Sequence, residues 1–365
     1  MKKILPGLVR FFVTEKLYSI LLLVFLLVVG VALLSAPKNH EAQDPGVRAL
    51  KTYQEAEQKF QKKVDDAGSM EKYIQDHPEA GRMFYGIMAM FCLLVFSGLA
   101  LDAFLLFRPE FRRTFQRAEY RSPVTWPPGT ILKVVILILF SGLVLSLLTG
   151  VADRIFRVQD ATNFYLLLHA TLVDGLCVYF VWHFVRKNGG GWRDLGLAVP
   201  DGGFIKELAV GLGAYLAVIP LFIATLIVAL AVAQLIRYEP PAHPLVGVFL
   251  EEEKRSPVLV VYSVVLATAI GPFLEEIFFR GFCYPILKKR FGMGAAMVTT
   301  AAFFAFIHEN SFAFWPIFVL GLALVWVYEK RKSLVAPIVL HITHNTLFIG
   351  YFFLAKKFIL QGGGM

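Results

Sequence analysis

The chain has 365 residues, 57% of them hydrophobic and only 17% charged, with a formal net charge of +9. A soluble domain carries about a quarter charged residues, so these are too few to clothe a water-facing surface, and a lipid-facing one is implied. The basic excess forms no stripe of Lys and Arg with interleaved aromatics, which argues against a nucleic-acid partner; loops on the cytoplasmic side of a membrane account for it.

The N-terminal stretch holds Lys2, Lys3, Arg10 and Lys16 and leads into the apolar run Leu17–Ala36. That run exceeds the roughly 7–15 apolar residues of a cleaved signal, so residues 1–36 read as a retained membrane anchor helix. Residues 37–82 are the one long polar stretch and predict a small helical insert outside the membrane. Apolar runs follow at about 83–107, 130–152, 163–185, 208–235, 257–287, 293–308, 312–328 and 334–354. They are continuous rather than alternating, which excludes a membrane barrel. At about 20 residues per crossing, they predict an all-α, polytopic transmembrane helix bundle with roughly eight or nine membrane helices. Additional transmembrane helices occupy 83–159, a C-terminal core 160–354 and a tail 355–365.

Basic residues orient the runs. Arg108, Arg112, Arg113, Arg117 and Arg121 follow the second run, and Arg186, Lys187, Arg193 and Lys206 the fourth. Lys288, Lys289 and Arg290 follow the sixth, and Lys330, Arg331 and Lys332 the eighth. If every run crosses once, all fall on one side with the N-terminus. That places the N-terminus in the cytoplasm and 37–82 outside, in what reads as a bacterial cytoplasmic membrane. Cys92, Cys177 and Cys283 sit in apolar runs and suggest neither a disulfide framework nor a metal–thiolate spacing.

A charge in hydrocarbon costs at least about 2.5–3.5 kcal/mol, so one found there needs a partner or a task. The strongest case is Gly271-Pro-Phe-Leu-Glu-Glu-Ile-Phe-Phe-Arg280. Glu276 and Arg280 lie four apart, in the favourable order for an ion pair on one helical face. This pairing explains Glu276. Glu275 points about 100° away and fits a general base. His308 ends the apolar stretch Phe303-Phe-Ala-Phe-Ile, and no second histidine stands four residues on, so it is not part of a zincin motif. His341 and Asn345 share a helical face and are suited to donate to a developing oxyanion. His344 reads as a hydrogen-bonded packing residue. Asp102, Lys133, His169 and Asp174 also lie in apolar runs; for His169 and Asp174 a bundle-interior hydrogen bond is favoured over a place on the cavity wall.

Glu275-Glu276-x-x-x-Arg280, then Phe304-x-x-x-His308, then His341-x-x-x-Asn345, on successive apolar segments, resembles the CPBP family. These are the CAAX-processing and bacteriocin-protection (Abi) proteins, related to the Ras- and a-factor-converting endopeptidase. Trp192-Arg-Asp-Leu-Gly-Leu197 and Lys332-Ser-Leu-Val-Ala-Pro337 agree with it, and the likeness covers about 160–350. The resemblance implies an intramembrane protease acting on membrane-associated protein or peptide substrates. It makes Glu275 and His308 the water-activating pair, His341 and Asn345 the oxyanion pair, and Glu276 and Arg280 a supporting ion pair. The family is often called a metalloprotease. No cofactor is required in the preferred mechanism, but zinc is a possible alternative, with Glu275, His308 and His341 as its ligands. Two other readings stay open: a non-proteolytic bacteriocin-immunity or scaffold protein, and a membrane transporter.

One conflict stands inside this expectation. If 257–287 and 293–308 are both full crossings, Glu275 and His308 come out roughly 20 Å apart in depth. Either Gly271-Pro272 breaks the first helix, or the second is tilted or starts deeper.

Overall fold

The computed structural model describes residues 4–35, 45–108, 126–156, 162–199, 203–238, 244–308 and 310–363. Arg112, Arg113, Arg117 and Arg121 of the basic segments lie outside them, as do Lys2 and Lys3. All regular structure among the described residues is helical. The helices are α1 (Ile4–Thr14), α2 (Lys16–Ser35), α3 (Pro45–Ala67), α4 (Met70–Asp76), α5 (Pro78–Phe107), α6 (Gly129–Phe156) and α7 (Thr162–Lys187). They continue with α8 (Gly203–Leu235), α9 (Pro244–Arg255), α10 (Pro257–Phe291), α11 (Met293–Phe306), α12 (Phe314–Arg331) and α13 (Val335–Gly363).

Seven of these are long and apolar enough to cross a membrane: α2, α5, α6, α7, α8, α10 and α13. Two expected runs fall short for separate reasons. Helix α11 has 14 residues, a rise of about 21 Å against the roughly 30 Å of a hydrocarbon core. Helix α12 has 18 residues but closes on Glu329-Lys330-Arg331. At 14 residues α11 is shorter than the full crossing from which the depth conflict was reckoned. Helix α10 is not broken at Gly271-Pro272; it continues through the proline by widening its turns.

The chain divides into two compact units, each assembled from separated segments. The first comprises residues 1–40, 121–197 and 274–296. Here α1 stops at Thr14, whose hydroxyl turns back to the Arg10 carbonyl at 2.8 Å. The junction residue Glu15 pairs with Lys133 of α6 at 2.6 Å, and the same ammonium lies over the Tyr18 ring. This accounts for a lysine in an apolar run. Helices α6 and α7 are tied by His169, whose Nε2 lies 3.1 Å from the Gly142 carbonyl and 3.2 Å from Ser146 Oγ. After α7 the chain folds back so that Trp192 stacks on Trp182, centroids 4.2 Å apart.

The second unit comprises 41–120, 198–273 and 297–365. Ser69 caps α4 by accepting from the Lys72 N–H, and the turn before it needs Gly68 at φ +88°. The polar insert builds a small core of Phe60, Val64, Tyr73 and Ile74, closed by Phe358 and Ile359 of α13. Lys356 of α13 bonds Glu253 of α9 at 2.5 Å. Deeper in this unit, α8 packs closely on α13. A Cβ on Gly211 would stand 2.6 Å from the Ala336 carbonyl and 2.7 Å from Val339, so only glycine allows the approach. Small residues serve such contacts in membrane bundles. Glu207 of α8 and Arg331 of α12 form a buried ion pair, and Ser333 donates to the Ala198 carbonyl at 2.9 Å.

Candidate active site

Helix α10 carries both glutamates, and two prolines shape it. Its turns widen to the π form at Leu266–Ile270 and again at Ile277–Cys283. Each wide turn ends two residues before a proline: Ile270 before Pro272, and Cys283 before Pro285. Proline has no N–H for the i−4 carbonyl, and the preceding N–H reaches back five residues instead. Gly271 N–H bonds the Leu266 carbonyl, and Tyr284 N–H bonds that of Phe279. The six residues Gly271–Glu276 are held between these two turns. Wide turns of this kind are frequent at functional sites.

In the first unit, Glu276 and Arg280 are both fully buried and joined at 2.8 Å. The guanidinium also lies over the Phe279 ring. Phe278 and Trp126 both stack on Phe282, so the ion pair is walled by aromatic rings. Glu275, in contrast, is only half-buried. It lies near enough to Asp174 and Cys177 of α7 for their charges to interact. Sequence reading set Asp174 down as an interior hydrogen-bonding residue; the intramembrane carboxylate was the signal, but its neighbour could not be read from spacing.

In the second unit, Phe304 is the hub. Its ring meets His308 edge-on at 4.8 Å and His341 at 5.6 Å. The Phe304 carbonyl accepts from His308 Nδ1 at 2.7 Å. A carbonyl only accepts, so Nδ1 donates here, and in the neutral ring Nε2 keeps its lone pair. His341 is buried. His344 sits among the rings of Tyr215, Phe222 and Phe348 and interacts electrostatically with His341 and His308. Asn345 donates from Nδ2 to the Ala267 carbonyl at 2.8 Å. After His308 the chain is turned by Asn310, whose Oδ1 accepts from the N–H groups of Phe312 and Ala313.

The structure thus gathers His308, His341 and Asn345 with His344 in the second unit, and Glu275 with Glu276, Arg280 and Asp174 in the first. Among the described residues, no group of three or more His, Cys, Asp or Glu side chains is arranged to hold a metal ion. Glu275 belongs to the first unit and His308 and His341 to the second.

Comparison with curated proteins finds no match, and comparison with solved structures finds none either. A family model does match: residues 257–347 fit the family described as Type II CAAX prenyl endopeptidase Rce1-like. That stretch spans α10 to α13 and includes Glu275, Glu276, Arg280, His308, His341 and Asn345. Over residues 257–347, therefore, this integral membrane chain carries a domain similar to the Rce1-like CAAX prenyl endopeptidases, which supports its membership of the CPBP family.

Proposed function

We propose that the chain is an intramembrane endopeptidase that hydrolyses peptide bonds of membrane-associated proteins or peptides. The observation that carries this reading is the 2.7 Å hydrogen bond of His308 Nδ1 to the Phe304 carbonyl, which in the neutral ring leaves a lone pair on Nε2. Such an imidazole accepts a hydrogen bond from water, and a half-buried carboxylate is suited to take that water's proton. In this reading Glu275 is the base and His308 orients the nucleophile. The water oxygen bonds to the carbonyl carbon, its proton passes to Glu275, and negative charge moves to the carbonyl oxygen. His341 donates to that oxyanion, joined by the second amide hydrogen of Asn345, the first being held by Ala267. Collapse breaks the C–N bond, and Glu275 returns the proton to the leaving amine. The Glu276–Arg280 pair fixes the helix that carries the base. The basic loops orient the chain with its N-terminus in the cytoplasm, by the excess of Lys and Arg there.

The test compares membranes containing the wild type with membranes containing Glu275→Gln, by proteomics of the membrane fraction. Uncleaved substrates are expected to accumulate with the variant. A variant that retains the chain's full biological effect would overturn the endopeptidase reading in favour of a binding or immunity role.

A further inference from the structure

The Ala267 carbonyl is left without a helical donor by the local sequence. In an α-helix it would accept from Gly271 N–H, but that group bonds Leu266. In a π-helix it would accept from residue 272, and residue 272 is proline, with no N–H to give. Neither register serves it, and in a membrane no water substitutes. Asn345, arriving from α13, supplies the missing donor. Two neighbouring carbonyls of α10 are also served by hydroxyls: Ser263 donates to Val260 and Thr268 to Val264, at 2.8 and 2.7 Å.

A wide turn adds about one residue of winding, roughly 100° of rotation, to all that follows it. Glu275 and Glu276 are adjacent and so differ by the same angle. The register at Leu266–Ile270 therefore decides which of the two carboxylates takes a given direction relative to the start of α10. We propose that Asn345 is a positioning residue for the glutamate turn. By holding the Ala267 carbonyl, it keeps Leu266–Ile270 wide and fixes the rotation at which Gly271–Glu276 presents its carboxylates. The consequence for hydrolysis rests on the endopeptidase reading, whereas the coupling of Asn345 to Pro272 does not.

The experiment is a double-mutant cycle of Asn345→Ala and Pro272→Ala in the full-length chain. Thermal unfolding is followed in detergent and substrate accumulation in membranes. Pro272→Ala restores an N–H at residue 272, so Ala267 gains a backbone donor in either register. Asn345→Ala alone is expected to lower the unfolding midpoint by several degrees, and in the Pro272→Ala background to change it little. Hydrolysis is expected to stay low in both variants that lack the Asn345 amide, because the oxyanion has lost a donor. Additive losses of stability would overturn the proposal.

A third readout does not depend on a substrate. Phe273 is 40% exposed within the glutamate turn. The labelling rate of Phe273→Cys by a membrane-permeant maleimide, in a background lacking Cys92, Cys177 and Cys283, reports its rotation. Adding Asn345→Ala is expected to change that rate several-fold, with Pro272→Ala suppressing the change. An unchanged rate would sink the positioning role. Failure of Glu275→Gln to block hydrolysis would remove the endopeptidase reading and leave this cycle standing.

Discussion

Glu276 and Arg280 show what a side chain is held to when its surroundings exclude water. Both are fully buried and bonded at 2.8 Å, so each neutralises a charge that would otherwise face aromatic rings. Removing one partner strands the other, at a cost of about 3–5 kcal/mol. Arg280→Met is expected to lower the unfolding midpoint sharply in a detergent melt. The double replacement Glu276→Gln with Arg280→Met is expected to lose less, because no isolated charge remains; equal losses would argue against the pair as the source. This pair was legible in the sequence, since a spacing of four on a helix implies contact. The partner of Asn345 was not. It is a carbonyl 78 positions away, available only because Pro272 forces the helix off its usual register. Asp174 was visible as an intramembrane carboxylate, but its nearness to Glu275 depends on how α7 meets α10, which spacing along one helix does not encode.

At the scale of helices, periodicity located the apolar runs, and local backbone chemistry modified them. The run around 293–308 became a 14-residue helix because Gly292, at φ +82°, opens it and Asn310 turns the chain soon after it ends. Close packing of α8 on α13 rests on Gly211. Gly211→Ala places a methyl against the Ala336 carbonyl and Val339 and is expected to cost about 1–3 kcal/mol. Gly213, two residues on, has open space around its Cβ position; Gly213→Ala is expected to be neutral or to stabilise by up to about 1 kcal/mol. Equal effects in a thermal melt would remove the close approach as the reason. Helix α3, which is not among the helices apolar enough to cross a membrane, carries a pH-sensitive contact. Tyr53 has its phenol pushed up to about 12, chiefly by burial and then by Glu57 and Tyr351. The unfolded phenol titrates near 10, so the folded state favours the neutral form. That contribution is intact below pH 10 and lost as pH rises towards 12. The thermal unfolding midpoint is expected to fall across that window in the wild type, and by less in Tyr53→Phe.

For the whole molecule, composition alone announced a helical membrane protein, because so few charges could not face water on all sides. The number of crossings was less legible. Sequence pattern suggested eight or nine, while among the described residues seven helices qualify by length and apolarity; α11 and α12 fall short of that measure. Helix α3 packs against α9, Phe358 and Ile359 of α13 close the core of the same insert, and Lys356 reaches Glu253 of α9. Biosynthesis inherits a further consequence: the insert emerges early, yet its core waits for residues near the other end of the chain. Until α13 has been threaded, Phe60, Val64 and Tyr73 have no lid, and a chaperone or the membrane surface has to shelter them.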